Sequence, residues 1–173
     1  MQWFSLILFF VLLNFLWRGL SQEPRPIPSP LLGKTVPMMH APKCAAGSLT
    51  SKHFLGHWSL LNVWASWCQV CIYEHATLVT LKKDARIILY GLNYRDDMHE
   101  ARTWLIRHGN PYTQLFYDPK GIFALDLGVY GVPESFLIDP KGIIRYKQVG
   151  LITTEAWARK ILPFVDGNQQ ESH

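Results

Sequence analysis

Residues 58–75 read WSLLNVWASWCQVCIYEH, and this stretch decides the fold. Its first part, 58–65, is a near-continuous apolar run rich in aromatics, which suits a central strand buried on both faces. Its second part opens on Cys68 and Cys71 and goes on with apolar residues at helical spacing, so a helix is expected over 68–83. The cysteines therefore sit where a buried strand ends and a helix begins. At such a helix start, unpaired N–H groups and the positive end of the dipole stabilise a thiolate. The thiolate is the nucleophile of disulfide exchange. In a redox-active dithiol Cys68 would attack, and Cys71, one turn inside and more buried, would resolve the mixed disulfide. Other chemistries fit this CxxC less well. Zinc wants four ligands, and no second cysteine pair exists. Haem attachment needs a histidine after the second cysteine, and Ile72 stands there. A pair of inert structural cysteines is the plain alternative.

Glu74 lies three residues after Cys71, on the same helical face. A carboxylate there can take and return the Cys71 proton; its plain alternative is a solvated helix carboxylate. His75 could share this work; its plain alternative is a histidine solvated or bonded on the helix flank. His53 and His57 share a four-residue spacing, but Gly56 argues against a helix between them, and no metal site is expected.

Working outward, residues 86–92 read as a second buried strand and 98–108 as an amphipathic helix ended by Gly109-Asn110-Pro111. A short strand is expected at 113–117, a short helix at 122–128, and strands at 135–138 and 143–149. Asp118-Pro119-Lys120-Gly121 and Asp139-Pro140-Lys141-Gly142 are repeated turn chemistry. Thr153 or Thr154 would cap a last helix running to Phe164. Strands alternating with helices and a closing hairpin give an α/β sandwich with a mixed central sheet flanked by helices. Gly131-Val132-Pro133-Glu134 stands just before the strand at 135–138, where a proline can simply be an edge device.

The N-terminus has a different character. From Trp3 to Trp17 the chain reads WFSLILFFVLLNFLW, without a charge. Two readings stand: a cleaved signal peptide, and a single uncleaved membrane anchor over residues 1–20 with Trp3 and Trp17 at the interfaces. Arg18, on the wrong side for an exported C-terminal domain, gives no help from the positive-inside rule. Residues 21–37 hold Pro24, Pro26, Pro28, Pro30 and Pro37, a spacer of extended character. The domain is expected over 38–166, followed by a polar tail at 167–173.

The whole chain has 173 residues, 49% of them hydrophobic, with a formal charge of +4 and three cysteines. That is enough for one domain with a sizeable core. It excludes wholesale disorder and a multi-span membrane protein, and the mild charge without a basic run gives no sign of a nucleic-acid partner. The odd cysteine count leaves Cys44, in HAPKCAAG, without an assigned role.

LLNVWASWCQVCIYEH, GLNYRDD, HGNPY, GVYGVPESFLID and GIIRYKQVG together resemble the thioredoxin superfamily, and within it the TlpA-like, membrane-tethered cytochrome c biogenesis proteins of the DsbE or CcmG type. The resemblance implies a thioredoxin-like sandwich and a thiol–disulfide oxidoreductase that works without a bound cofactor or metal. It implies a single-pass protein of the bacterial inner membrane with its catalytic domain in the periplasm. The partners implied are apocytochrome c or its maturation proteins, and a membrane electron donor of the DsbD or CcdA type. Residue by residue, Cys68 matches the nucleophile, Cys71 the resolving cysteine and Glu74 the acidic residue after the dithiol. Pro133 matches a cis-proline and Glu134 the acidic residue after it; with Trp67 and Val132 they are the residues expected to meet substrate. A general periplasmic disulfide oxidoreductase and a tethered binding or chaperone module are the alternatives. Gln69 and Val70 depart from thioredoxin-like motifs, in which a proline is frequent between the cysteines.

Overall fold

Apolar runs flanked by turn residues become strands here, and amphipathic runs become the helices that cover them. A computed structural model describes residues 2–20, 31–37 and 49–167. The elements are α1 (Gln2–Leu20), β1 (Trp58–Trp64), α2 (Cys71–Leu81), β2 (Ile87–Tyr94), α3 (Met98–His108), β3 (Gln114–Asp118), α4 (Ile122–Asp126), β4 (Glu134–Ile138) and β5 (Ile144–Val149), followed by a C-terminal helix. The five strands form one sheet in the order β3-β2-β1-β4-β5. β1, β2 and β3 run parallel, whereas β4 pairs antiparallel with β1 and β5 with β4. The mixed sheet expected from the sequence is the one observed.

Strand alternation splits β1 between two cores. Leu60 and Trp64 face α2, α3 and the C-terminal helix, together with Leu78, Leu89, Leu105, Leu137 and Trp157. Leu61 and Val63 face the other way, toward Phe54, Leu92, Phe123 and Phe136. Asn62, between them, points with Leu60 and Trp64 to the α2 side and is buried in an otherwise apolar strand. It has to find its partners there, because an unbonded buried amide is costly.

Several boundaries move for identifiable reasons. α2 starts at Cys71, not at residue 68; residues 66–70 form turns, and Cys71 N–H donates to Cys68 O at 3.2 Å. β2 runs on to Tyr94 because Asn93 and Tyr94 pair with Tyr117 and Asp118, a non-local register. The C-terminal helix is capped by Thr153, whose Oγ1 accepts the Ala156 N–H. It runs as an α segment (Thr154–Ala156), a π segment (Trp157–Ile161) and an α segment (Leu162–Val165). Pro163 accounts for the wide turn: it offers no N–H and crowds the carbonyl four residues back, and the Leu162 N–H reaches Trp157 O, five residues back. Both DPKG segments are turns in which the aspartate accepts backbone N–H groups, Asp118 from Ile122 and Ala124 and Asp139 from Lys141 and Ile143.

The packed part of the chain also starts earlier than residue 38. Gly33 and Val36 donate to Ile144 O and Gly142 O, Ile144 donates to Lys34 O, and Val36 is buried in the second core. The C-terminal end of the expected spacer is thus hydrogen-bonded to the β4–β5 hairpin and the head of β5, a long-range pairing that its prolines conceal. Residues 21–30, Cys44 and the tail from residue 168 lie outside the described residues. α1 is a 19-residue helix. Among the described residues no helix is long and apolar enough to cross a membrane.

Gly91 in β2 has a packing role. A Cβ there would lie 2.7 Å from Tyr112 Cδ2 and 2.8 Å from Leu115 Cδ1, so the bare backbone is the seat of the Tyr112 ring. Gly91→Ala is expected to lower stability by about 1–3 kcal/mol through overpacking, measured as a lower urea midpoint; an unchanged midpoint would show that the ring is free to move aside.

Candidate active site

The end of β1 and the start of α2 place the dithiol. Cys68 and Cys71 are joined in a disulfide with their Cα atoms 5.4 Å apart. Cys68 is 6% exposed and Cys71 2%, so both are buried and Cys68 is the more accessible of the two. The Cys71 N–H also donates to Cys68 Sγ at 3.1 Å. The preceding turn is tied from outside by the loop after β2. Asp96 accepts from Ser66 N–H at 2.6 Å and Ser66 Oγ at 2.8 Å. Asn93 Nδ2 donates to the same carboxylate, and Trp67 Nε1 donates to Arg95 O. Arg95 is the one non-glycine residue with positive φ (45°) among the described residues. Trp67 itself, next to Cys68 in the chain, is 55% exposed.

Glu74 is 1% exposed, on the α2 face that also carries Cys71. Asn62 Nδ2 donates to Glu74 Oε1 at 2.8 Å, and Ile152 N–H donates to Oε2 at 2.9 Å. Burial pushes its carboxyl up to about 7, against the pull of the Ile152 and Asn62 hydrogen bonds. It therefore exchanges a proton near neutrality, which a solvated helix carboxylate does not. Asn62 is held in turn: its Oδ1 accepts from Tyr112 Oη at 2.8 Å, and its Nδ2 also donates to Ser135 Oγ. Burial, with the Glu74 charge adding to it, raises the Tyr112 phenol well above its ordinary range. His75 lies on the flank of α2, bonded through Nε2 to His108 O and Gly109 O. Burial lowers its affinity for a second proton.

In the loop before β4, Val132 packs against the core that contains both cysteines. The Val132–Pro133 bond is cis, and Pro133 O accepts from Gly150 N–H. Neither backbone group of Val132 is hydrogen-bonded within the described residues. Glu134, expected to meet substrate, is buried instead. Its Oε1 accepts from the N–H groups of Tyr130 and Gly131, and its Oε2 lies 2.9 Å from Lys147 Nζ. The side chain is spent on its own loop because β4 begins at Glu134 and turns it toward Phe136 and Lys147. Asn62, Asp96, Tyr112 and Lys147 were not singled out in the sequence. Asn62 carried a usable signal, since a lone amide within a doubly buried strand must be bonded.

Residues 32–147 match the AhpC/TSA family. A thiol:disulfide interchange protein DsbE from Allochromatium vinosum is 43% identical over 160 residues, covering 91% of this chain and 88% of its own. Its namesake from Pseudomonas aeruginosa is 40% identical over 158 residues, 90% and 87% of the two chains. The chain belongs to the DsbE family. As in that family of thioredoxin-fold proteins, the cysteine pair makes it a thiol–disulfide oxidoreductase. Among solved structures, one described as a DsbE from Chlorobium tepidum superposes with a TM-score of 0.64 at 26% identity, covering 78% of this chain and 97% of that one. The thioredoxin domain of a Bacteroides vulgatus thiol-disulfide oxidoreductase, 18% identical with a TM-score of 0.65 over 81% of this chain and 99% of its own, shares the fold.

Proposed function

We propose that this DsbE-family chain is a periplasmic, membrane-anchored reductase that keeps the haem-binding cysteines of apocytochrome c, or of the proteins that mature it, in the thiol state. The observation that carries the mechanism is the placement of Glu74, buried one helical turn from Cys71 with a proton affinity near neutrality.

In the reduced form the Cys71 N–H that points at Cys68 Sγ stabilises negative charge there. The Cys68 thiolate attacks a substrate disulfide. A Cys68–substrate S–S bond forms, the substrate S–S bond breaks, and the departing substrate thiolate takes a proton. Glu74 then accepts the Cys71 proton, and Cys71 Sγ displaces the second substrate sulfur. Two electrons pass to the substrate and the Cys68–Cys71 disulfide is left. A membrane carrier of the DsbD or CcdA type reverses the exchange, with Glu74 returning its proton to Cys71. The exposed Trp67 and the unbonded backbone of Val132 suit an extended peptide laid across the sulfurs.

The anchor reading rests on α1. It is uncharged from Trp3 to Trp17, and its large apolar side chains from Leu6 through Leu13 are exposed around two helical turns, which a lipid environment would cover. At about 1.5 Å per residue its length approaches the hydrocarbon thickness of a bilayer. Thiol trapping of the full chain in intact cells tests the direction of electron flow. A pair found reduced at steady state, and oxidised when the membrane carrier is removed, supports the reductase. A pair found oxidised in the presence of the carrier would show an oxidase.

A further inference from the structure

Lys147 lies on β5, and its side chain is 4% exposed. An ammonium is costly to bury unless its surroundings compensate it. Nζ donates to Gly128 O at 2.7 Å, lies 2.9 Å from Glu134 Oε2, and sits 4.6 Å from the centre of the Tyr130 ring. The contact with Glu134 is Coulombic in character, its geometry being poor for a hydrogen bond. An ammonium has three protons to place. A carbonyl, a carboxylate and the Tyr130 ring, all from residues 128–134, receive it here, and the Phe136 ring of β4 lies 5.3 Å from Nζ. Glu134 completes the arrangement, because its other oxygen holds the Tyr130 and Gly131 N–H groups. The sheet register sets the geometry: Lys147 pairs with Phe136 and Val149 with Glu134, so Lys147 and Glu134 are diagonal neighbours on one face.

We propose that Lys147 is a positioning residue for substrate binding, which fixes the loop that presents Val132 and the exposed Tyr130 ring to a peptide. It touches neither sulfur and sits on the opposite face of the sheet from Glu74. Its effect is therefore on recognition of an extended chain and not on the redox balance of the dithiol. This rests on the reading of the cis-proline loop as a peptide platform.

The test is single-turnover oxidation of the dithiol form of the full chain, followed by tryptophan fluorescence. It is run with a CxxCH peptide closed by its own disulfide and, separately, with oxidised glutathione. For Lys147→Met, the half-saturating peptide concentration is expected to rise by about ten-fold or more, a displacement of the docked chain being enough for this. The limiting rate should change less, and the equilibrium constant against dithiothreitol should stay that of the wild type. Lys147→Arg, which keeps the charge and the donors, should recover most of the affinity. If Lys147→Met does not fold, Lys147→Met combined with Glu134→Gln removes both buried charges and is expected to show the same loss. A folded variant with unchanged peptide affinity overturns the proposal. So does a shifted equilibrium constant with both oxidants slowed alike, since that places Lys147 in the dithiol chemistry. A wild-type protein that oxidises no faster with the peptide than with glutathione overturns the platform reading itself, and does so before any variant is made.

Discussion

Cys71→Ala is expected to end turnover and to leave the protein covalently joined to its substrate through Cys68. Cys68 is the more exposed residue of the pair, and its sulfur receives the Cys71 backbone N–H, which the substitution leaves in place. Attack on a substrate disulfide is thus preserved. What is lost is the second thiol, held with its Cα 5.4 Å from that of Cys68. No other cysteine lies among the described residues. Without the thiol that the fold holds one helical turn from Cys68, the mixed disulfide loses its resolving nucleophile, and the effective concentration that the fold supplied is gone. Non-reducing gels and mass spectrometry of cells carrying the variant should show an adduct with apocytochrome c or with another maturation protein. Cys68→Ala should show none. An adduct with Cys68→Ala and none with Cys71→Ala would exchange the two roles.

Glu74→Gln carries the second large effect, on both rate and stability. The rate at which Cys71 resolves the mixed disulfide should rise with pH through about 7 in the wild type, as Glu74 loses its own proton and becomes able to take that of Cys71. The variant should lose this inflection and resolve about 100-fold more slowly, a usual contribution of a positioned base. First attack by Cys68 should be affected less, and equal slowing of both steps, measured by rapid acid quench, would remove Glu74 from the mechanism.

The stability effect follows from linkage. The folded-state carboxyl is pushed from an ordinary 4.5 up to about 7, so between those values the folded protein keeps a proton that the unfolded chain releases. Below about 4.5 both states are protonated and no cost arises. As pH rises from there to about 7 the wild type loses roughly 3 kcal/mol, and above that the loss is constant. Glu74→Gln has no such slope. It has its own cost of about 1–3 kcal/mol, because both carboxylate oxygens face N–H donors, from Asn62 and Ile152, and the new NH₂ group must oppose one of them. The variant should therefore be the less stable protein at about pH 4.5 and should close the gap or reverse it at about pH 8. Parallel pH profiles of the two proteins in urea would refute the raised proton affinity of Glu74.

Much of this was legible along the chain wherever the physics is local. A strand buried on both faces, a CxxC at its end, the Thr153 cap and the two aspartate turns each depend on residues a few positions apart. Those features are found where the sequence put them. Even the start of α2 moved by only three positions, since a hydrogen-bonded turn and a first helical turn differ little in backbone angles. The start of the packed domain moved further, because the pairing of residues 33–36 with the residues around Ile144 spans the whole fold.

The nature of the site was decided at long range. Glu74 was readable as a candidate from its helical spacing. Its burial and raised proton affinity come from Ile152, 78 residues away, and from Asn62 in β1. Glu134 was expected at the substrate surface, and the β4–β5 register turned it inward onto Lys147. Asp96, 30 residues from Ser66, ties down the dithiol loop from another strand end. Residue order along the chain settles which atoms can do the chemistry, a dithiol and one carboxyl at fixed local spacing. The tertiary structure settles which side chains are dry and which oxygens have donors. Solvation and hydrogen bonding across strands depend on residues that meet only when the sheet has formed.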